Sequence, residues 1–107
     1  RRRRKCWLAW STVPKGKLQV DEGAARALVD QGKSLLPIGI TQVNGNFDVG
    51  AVVSVTGHDG VELARGIVNY PSKELRKITG KKTGEIAGIL GYKDYDEVIH
   101  RDNLSLV

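Results

Sequence analysis

From Val61 to Tyr70 the chain alternates without offering a consistently polar face. Val61, Leu63 and Ile67 fall on one side, and Ala64, Gly66, Val68 and Tyr70 on the other. Successive side chains of a strand point to opposite faces, so this segment buries both and belongs in the middle of a sheet or in a closed barrel. Arg65 interrupts the pattern, and its long stem can run along the surface while the guanidinium reaches water.

The flanking segments fit around such a strand. Lys17 to Val20 reads as a short strand. Asp21 is a good N-cap and Gly32 a good C-terminal stop for a helix whose Ala24, Ala25, Leu28 and Val29 recur at helical spacing. After Leu35-Leu36-Pro37 a strand from Ile38 to Val43 ends at an Asn44-Gly45 turn. Ala51, Val53 and Val55 alternate along the next, and His58-Asp59-Gly60 turns the chain into Val61. Ser72 is assigned as the cap of a second helix, with Leu75 and Ile78 inward and Gly80 ending it. Thr83 is assigned as the cap of a third, with Ile86, Ala87, Ile89 and Leu90 inward and Gly91 ending it. Val98 to Leu106 reads as a closing strand. The order implies an α+β domain, a mixed and partly closed β barrel of five or six strands with short covering helices. The Asp21–Gly32 helix covers one opening, and Leu28, Ile40, Val53, Val55, Leu63 and Ile67 are assigned to the core.

A chain of 107 residues is one domain with room for a core that needs no staples. No apolar stretch is long enough to span a bilayer. Its single cysteine, Cys6, has no intrachain partner, which fits a reducing compartment, and the cytoplasm is expected. Methionine is absent even at position 1, and the chain opens on Arg1-Arg2-Arg3-Arg4-Lys5. The expectation is therefore a piece of something longer, with residues 1–15 a linker and Trp7, Leu8 and Trp10 once packed on the preceding part. Formal charge is +5, but five of the 17 basic residues form that opening run, and the other 12 balance the 12 acids. Global charge therefore argues little for nucleic-acid binding. Locally the charge separates: Lys73, Arg76, Lys77, Lys81 and Lys82 face a single acid, Glu74, over ten residues, whereas Tyr92 to Asp102 is acidic.

Enzyme chemistry is not legible. Gly32-Lys33-Ser34 resembles the end of a phosphate-binding loop, but Ala27 stands where the first glycine belongs, and the helix precedes the loop instead of following it. Gly80-Lys81-Lys82-Thr83 puts Lys82 where a magnesium-binding hydroxyl is needed. His58 and His100 have no partners at metal-ligand spacing, and one cysteine with two histidines makes no zinc site. His100, Asp102 and Ser105 invite a triad, yet strand neighbours diverge, so a structural histidine is expected. No catalytic residue and no metal site are assigned.

Two sets of residues carry a resemblance. Gly16-Lys17-Leu18-Gln19-Val20-Asp21-Glu22-Gly23-Ala24, then Ala27-Leu28 and Gly32 to Ile40, are similar to the opening of a PUA domain, the pseudo-barrel module named for pseudouridine synthases and archaeosine transglycosylases. Gly50 to Val55 and Glu62 to Gly66 resemble its middle strands, so residues 16–107 are covered. More narrowly, Gly66 to Tyr70, Glu85-Ile86, Leu90 to Tyr92 and Glu97 to Leu104 resemble the C-terminal region of the bacterial glutamate 5-kinase family, and Lys5 to Ala9 its interdomain link. The pair Cys6-Trp7 departs from that pattern, where another basic residue usually precedes the tryptophan.

The resemblance implies a parent that phosphorylates glutamate with ATP at the first step of proline synthesis. ATP and magnesium then belong to a kinase domain that is not in this sequence, with that domain as partner and a homo-oligomeric parent. PUA domains in RNA-modifying enzymes bind RNA near the glycine after the first helix. Carried over, this nominates Gly32 and Lys33, with Lys73, Arg76, Lys77, Lys81 and Lys82 as phosphate contacts. No aromatic platform for unpaired bases is evident. The alternatives are a regulatory or oligomerisation module that tunes the kinase domain without RNA, and the PUA domain of an RNA-modifying enzyme.

Overall fold

Asp21 and Gly32 bound the first helix as their chemistry predicts. The computed structural model describes residues 12–107, and in it α1 spans Glu22–Gln31. The Asp21 carboxylate accepts from the Ala24 N–H at 2.8 Å. Gly32, at φ 64°, bends the chain so that the Lys33 N–H returns to the Ala27 carbonyl at 3.0 Å. Leu28 is buried, and Ala24 and Ala25 pack against the core.

Five strands form one mixed sheet: β1 (Gly16–Val20), β2 (Ile40–Gly45), β3 (Val52–Thr56), β4 (Glu62–Ile67) and β5 (Leu104–Leu106). Their spatial order is β2-β1-β3-β4-β5. β1 runs parallel to β3, the other neighbours being antiparallel. The edge strands β2 and β5 do not pair with each other. The segments leading into them close the barrel instead: the Leu35 N–H donates to the Ile99 carbonyl at 2.9 Å and the Val98 N–H donates to the Leu35 carbonyl at 2.8 Å. Leu18, Leu35, Val53, Val55, Tyr70, Ile99 and Leu104 fill the inside. Two short helices, α2 (Ser72–Ile78) and α3 (Ile86–Leu90), cover the side near β2.

Several sequence expectations change. β4 does sit between two strands, but its buried face is Ala64 and Gly66, continued past its end by the buried Val68 and Tyr70. Leu63 and Ile67 are half-buried and Val61 is 57 % exposed. The small face turns inward because the closing segment lies directly on Gly66: a Cβ there would meet Ile99 Cγ2 at 2.7 Å and the Asn103 carbonyl at 2.9 Å. The closing strand is also not continuous from Val98 to Leu106. The His100 Nδ1 accepts from the Asp102 N–H at 3.1 Å and caps a single 3-10 turn, Arg101–Asn103, before β5 begins.

The strand expected from Ile38 starts at Ile40, because Pro37 opens a 3-10 turn, Pro37–Gly39. Ser72 lies inside its helix, where its hydroxyl accepts from the Phe47 N–H at 3.1 Å and ties α2 to the β2–β3 connection. Thr83 caps nothing: the Glu85 carboxylate accepts from the Lys82 N–H at 3.1 Å. α3 has one turn and a half, so Ile86 is buried while Ala87 and Ile89 are exposed. The linker reading of residues 1–15, with Cys6, Trp7, Leu8, Trp10 and the basic run, falls mostly outside the described residues.

Candidate nucleic-acid interface

α2 sets the main row of cations. Leu75 and Ile78 point into the core, which leaves Lys73, Arg76 and Lys77 exposed on the outer surface of the helix. The Arg76 guanidinium donates to the Gly45 carbonyl at 2.6 Å, fastening the helix to the end of β2. Beyond Gly80 the chain continues with Lys81 and Lys82, both exposed. The acid of this stretch, Glu74, is engaged, since the Tyr92 hydroxyl donates to its carboxylate.

Gly32 and Lys33 stand at a second place, the end of α1. Lys33 is exposed and lines a groove of about 530 Å³ between α1 and the Leu35–Gly39 segment. A backbone bond connects this region to the α2 row: the Gly80 N–H donates to the Pro37 carbonyl at 2.9 Å. The seven sequence candidates therefore divide into a five-cation surface on and after α2 and a Gly32–Lys33 corner beside a mostly apolar groove. Acids Asp21 and Glu97 share that groove with Lys33, which offsets its pull on a phosphate.

Sequence reasoning missed an aromatic surface. Tyr92 and Tyr95 are 38 % and 48 % exposed, and Tyr92 lies beside α2 through its bond to Glu74. That hydrogen bond, with burial and the Glu74 charge behind it, pushes the Tyr92 hydroxyl pKa up to about 12. The signal was two tyrosines in an acidic segment with no strand or helix period to hide them.

The expected absence of a triad has a different geometry from the one anticipated. His100 and Asp102 are close, 3.6 Å between Nδ1 and Oδ2, because they share a turn and not a strand. The His100 Nδ1 is committed to capping, and Ser105 is buried.

The outer face of β4 carries the shortest ion pair among the described residues. Arg65 Nε lies 2.7 Å from Glu62 Oε2, which also accepts from the Ser54 hydroxyl at 2.7 Å. The Arg65 hydrogen bond holds the Glu62 pKa below its ordinary 4.5, against the opposing effect of burial. A depressed folded-state pKa contributes stability that is complete above the unfolded value and is lost as pH falls through the folded one. Glu62→Gln is therefore expected to remove part of the acid-side loss below pH 4.5, measured as urea midpoints at neutral and acid pH. Equal acid losses in both proteins would mean the pair contributes nothing.

With this geometry in hand, comparison with known proteins decides the family. The PUA domain profile matches residues 16–90. This chain belongs to the PUA domain family. Among solved structures, a PUA domain from Aeropyrum pernix in a tartrate complex is 35 % identical with a TM-score of 0.57, over 60 % of this chain and 35 % of that one. The archaeal box H/ACA sRNP Nop10-Cbf5 complex matches in fold, with 15 % identity and a TM-score of 0.56 over 86 % of this chain and 23 % of that one. Among curated proteins, the glutamate 5-kinase of Moorella thermoacetica is 57 % identical over 101 residues, 94 % of this PUA domain but only 27 % of the kinase. The domain is homologous to the C-terminal part of such kinases. No helix among the described residues is long and apolar enough to cross a membrane.

Proposed function

We propose that this PUA domain is the non-catalytic module of a glutamate 5-kinase, and that it acts by protein contact to tune feedback control or oligomer state of the kinase part. The observation that carries the reading is the 57 % identity over 94 % of the chain to a kinase of that name. The parent reaction in this reading is transfer of a phosphoryl group from ATP to the side-chain carboxylate of glutamate, in the cytoplasm. Magnesium and ATP do not fit the described residues. No group of three or more His, Cys, Asp or Glu side chains among them is placed to hold a metal, and the Gly32-Lys33-Ser34 turn ends a helix where a phosphate loop would begin one. In this reading both belong to the kinase part, and no phosphoryl step is assigned to this domain.

The test compares the full-length enzyme with a version lacking the counterpart of residues 12–107. Glutamate-dependent ATP turnover should persist, while end-product inhibition or the mass by light scattering changes. Turnover, inhibition and mass all unchanged would refute the reading.

RNA binding is the second reading, favoured by the exposed row of Lys73, Arg76, Lys77, Lys81 and Lys82. Arg1 to Lys5 is a competing source of affinity, since about five phosphate contacts give a log–log salt slope near −4 to −5 on duplex. In mobility shifts with structured RNA, deletion of residues 1–5 is expected to abolish most binding. Binding that survives the deletion and falls on changing Lys33, Arg76 and Lys77 to Ala would assign the PUA surface as an RNA site.

A further inference from the structure

The groove beside α1 is not explained by phosphate binding. Its walls are Ala24 and Ala27, its floor Leu35 and Gly39, and its lip Leu36 and Ile38, which are 39 % and 47 % exposed. A volume of about 530 Å³ lies within the size range of ligand pockets, and the lining is predominantly aliphatic. The shape is rigid. Gly39 packs so closely under α1 that a Cβ there would fall 2.5 Å from the Ala24 Cβ, and Leu35 is pinned on both sides of its peptide by Val98 and Ile99. Two of the three charged side chains on its rim, Asp21 and Glu97, are acids, which repel a nucleic-acid backbone and favour an apolar segment flanked by a basic residue.

We infer that this groove is the docking site for an aliphatic segment, bordered by a Lys or Arg, of the kinase part of the same chain. The inference rests on the reading that such a part exists. Reach and concentration support it. The 27 % coverage of the kinase relative leaves about 270 residues outside this domain, a body of about 19 Å radius of gyration. β1 (Gly16–Val20) ends one residue before Asp21 on the groove rim, and its five residues span about 17 Å. A body tethered ahead of β1 thus lies within one radius of the groove. Tethering raises its effective concentration to about the millimolar range, so one apolar anchor suffices without a large interface.

The test is hydrogen exchange at residues 34–39, compared between the 107-residue chain and the full-length enzyme. Exchange should be at least tenfold slower in the full-length enzyme. Ile38→Glu, at a half-exposed position that tolerates charge, should restore the fast rate, Ile38→Leu should keep the slow one, and Ala27→Phe, which fills the groove without charge, should act like Ile38→Glu. Equal rates in the two proteins, slowing confined to α2, or slowing that disappears after nuclease treatment would each overturn the inference. If removing the domain alters the kinase while both groove-blocking variants behave as wild type, the groove assignment falls and the functional reading stands. If residues 34–39 are slowed but removing the domain changes nothing, the groove is a docking site and the regulatory reading falls.

Discussion

Gly66→Val is expected to lower the melting temperature by about 12–24 °C, from a loss of roughly 3 kcal/mol at 4–8 °C per kcal/mol for a domain of this size. Gly66 sits in β4 opposite Val53 of β3 and Leu104 of β5. Any Cβ added there points at Ile99 and at the backbone carbonyl of Asn103. A flexible side chain could move aside, but Asn103 belongs to the turn that feeds β5, and Ile99 forms the bridge to Leu35. Relieving the overlap therefore loosens the connection that closes the barrel. Gly88→Ala is the control: no atom lies within 4 Å of its added Cβ, and in a helix the change is expected to be neutral or stabilising by up to about 1 kcal/mol. Scanning calorimetry reads both. A drop under about 4 °C for Gly66→Val would show that the closure yields easily.

Tyr70→Ala should be at least as damaging, at about 3–5 kcal/mol, because it removes a fully buried aromatic side chain. Tyr70 does two jobs, and Tyr70→Phe separates them. The ring fills the core, with its centroid 6.4 Å from that of Tyr92. The hydroxyl donates to the Tyr95 carbonyl and accepts from the Tyr95 N–H at 3.2 Å. Loss of the hydroxyl alone is expected to cost about 1–3 kcal/mol, since two backbone groups lose their partner. The effect should be local, with faster exchange of the Tyr95 amide and little change in the sheet. Urea unfolding gives the two magnitudes, and equal losses for Phe and Ala would mean that the hydrogen bonds alone account for the contribution of Tyr70.

The candidate site was legible to the extent that it depended on composition. Lys73, Arg76 and Lys77 could be named from the sequence because charged side chains on a helix whose Leu75 and Ile78 are buried have no place but the surface, and Lys81 and Lys82 follow it as adjacent exposed charges. The anchoring of Arg76 to Gly45, 31 residues away, could not be named, because it depends on where β2 ends in space. The groove was equally invisible. Leu36 read as part of a lead-in and Ile38 as an ordinary strand residue, and only the packing of Gly39 under α1 leaves them as the lip of a cavity.

What the sequence determined by itself is local. Asp21 and Gly32 delimit α1 because a carboxylate satisfies free N–H groups and glycine accepts positive φ. The twofold apolar pattern from Val61 to Tyr70 placed β4 between two neighbours. Tertiary structure decided which of its faces is inside, because both are apolar and a one-residue choice exchanges them. The choice falls to Gly66, where the Ile99–Asn103 segment lies directly on the strand. Tertiary structure also decided that the barrel closes through Leu35 and Ile99 and not through β2 and β5, since a contact between residues 64 positions apart leaves no periodicity in the chain for either segment to show.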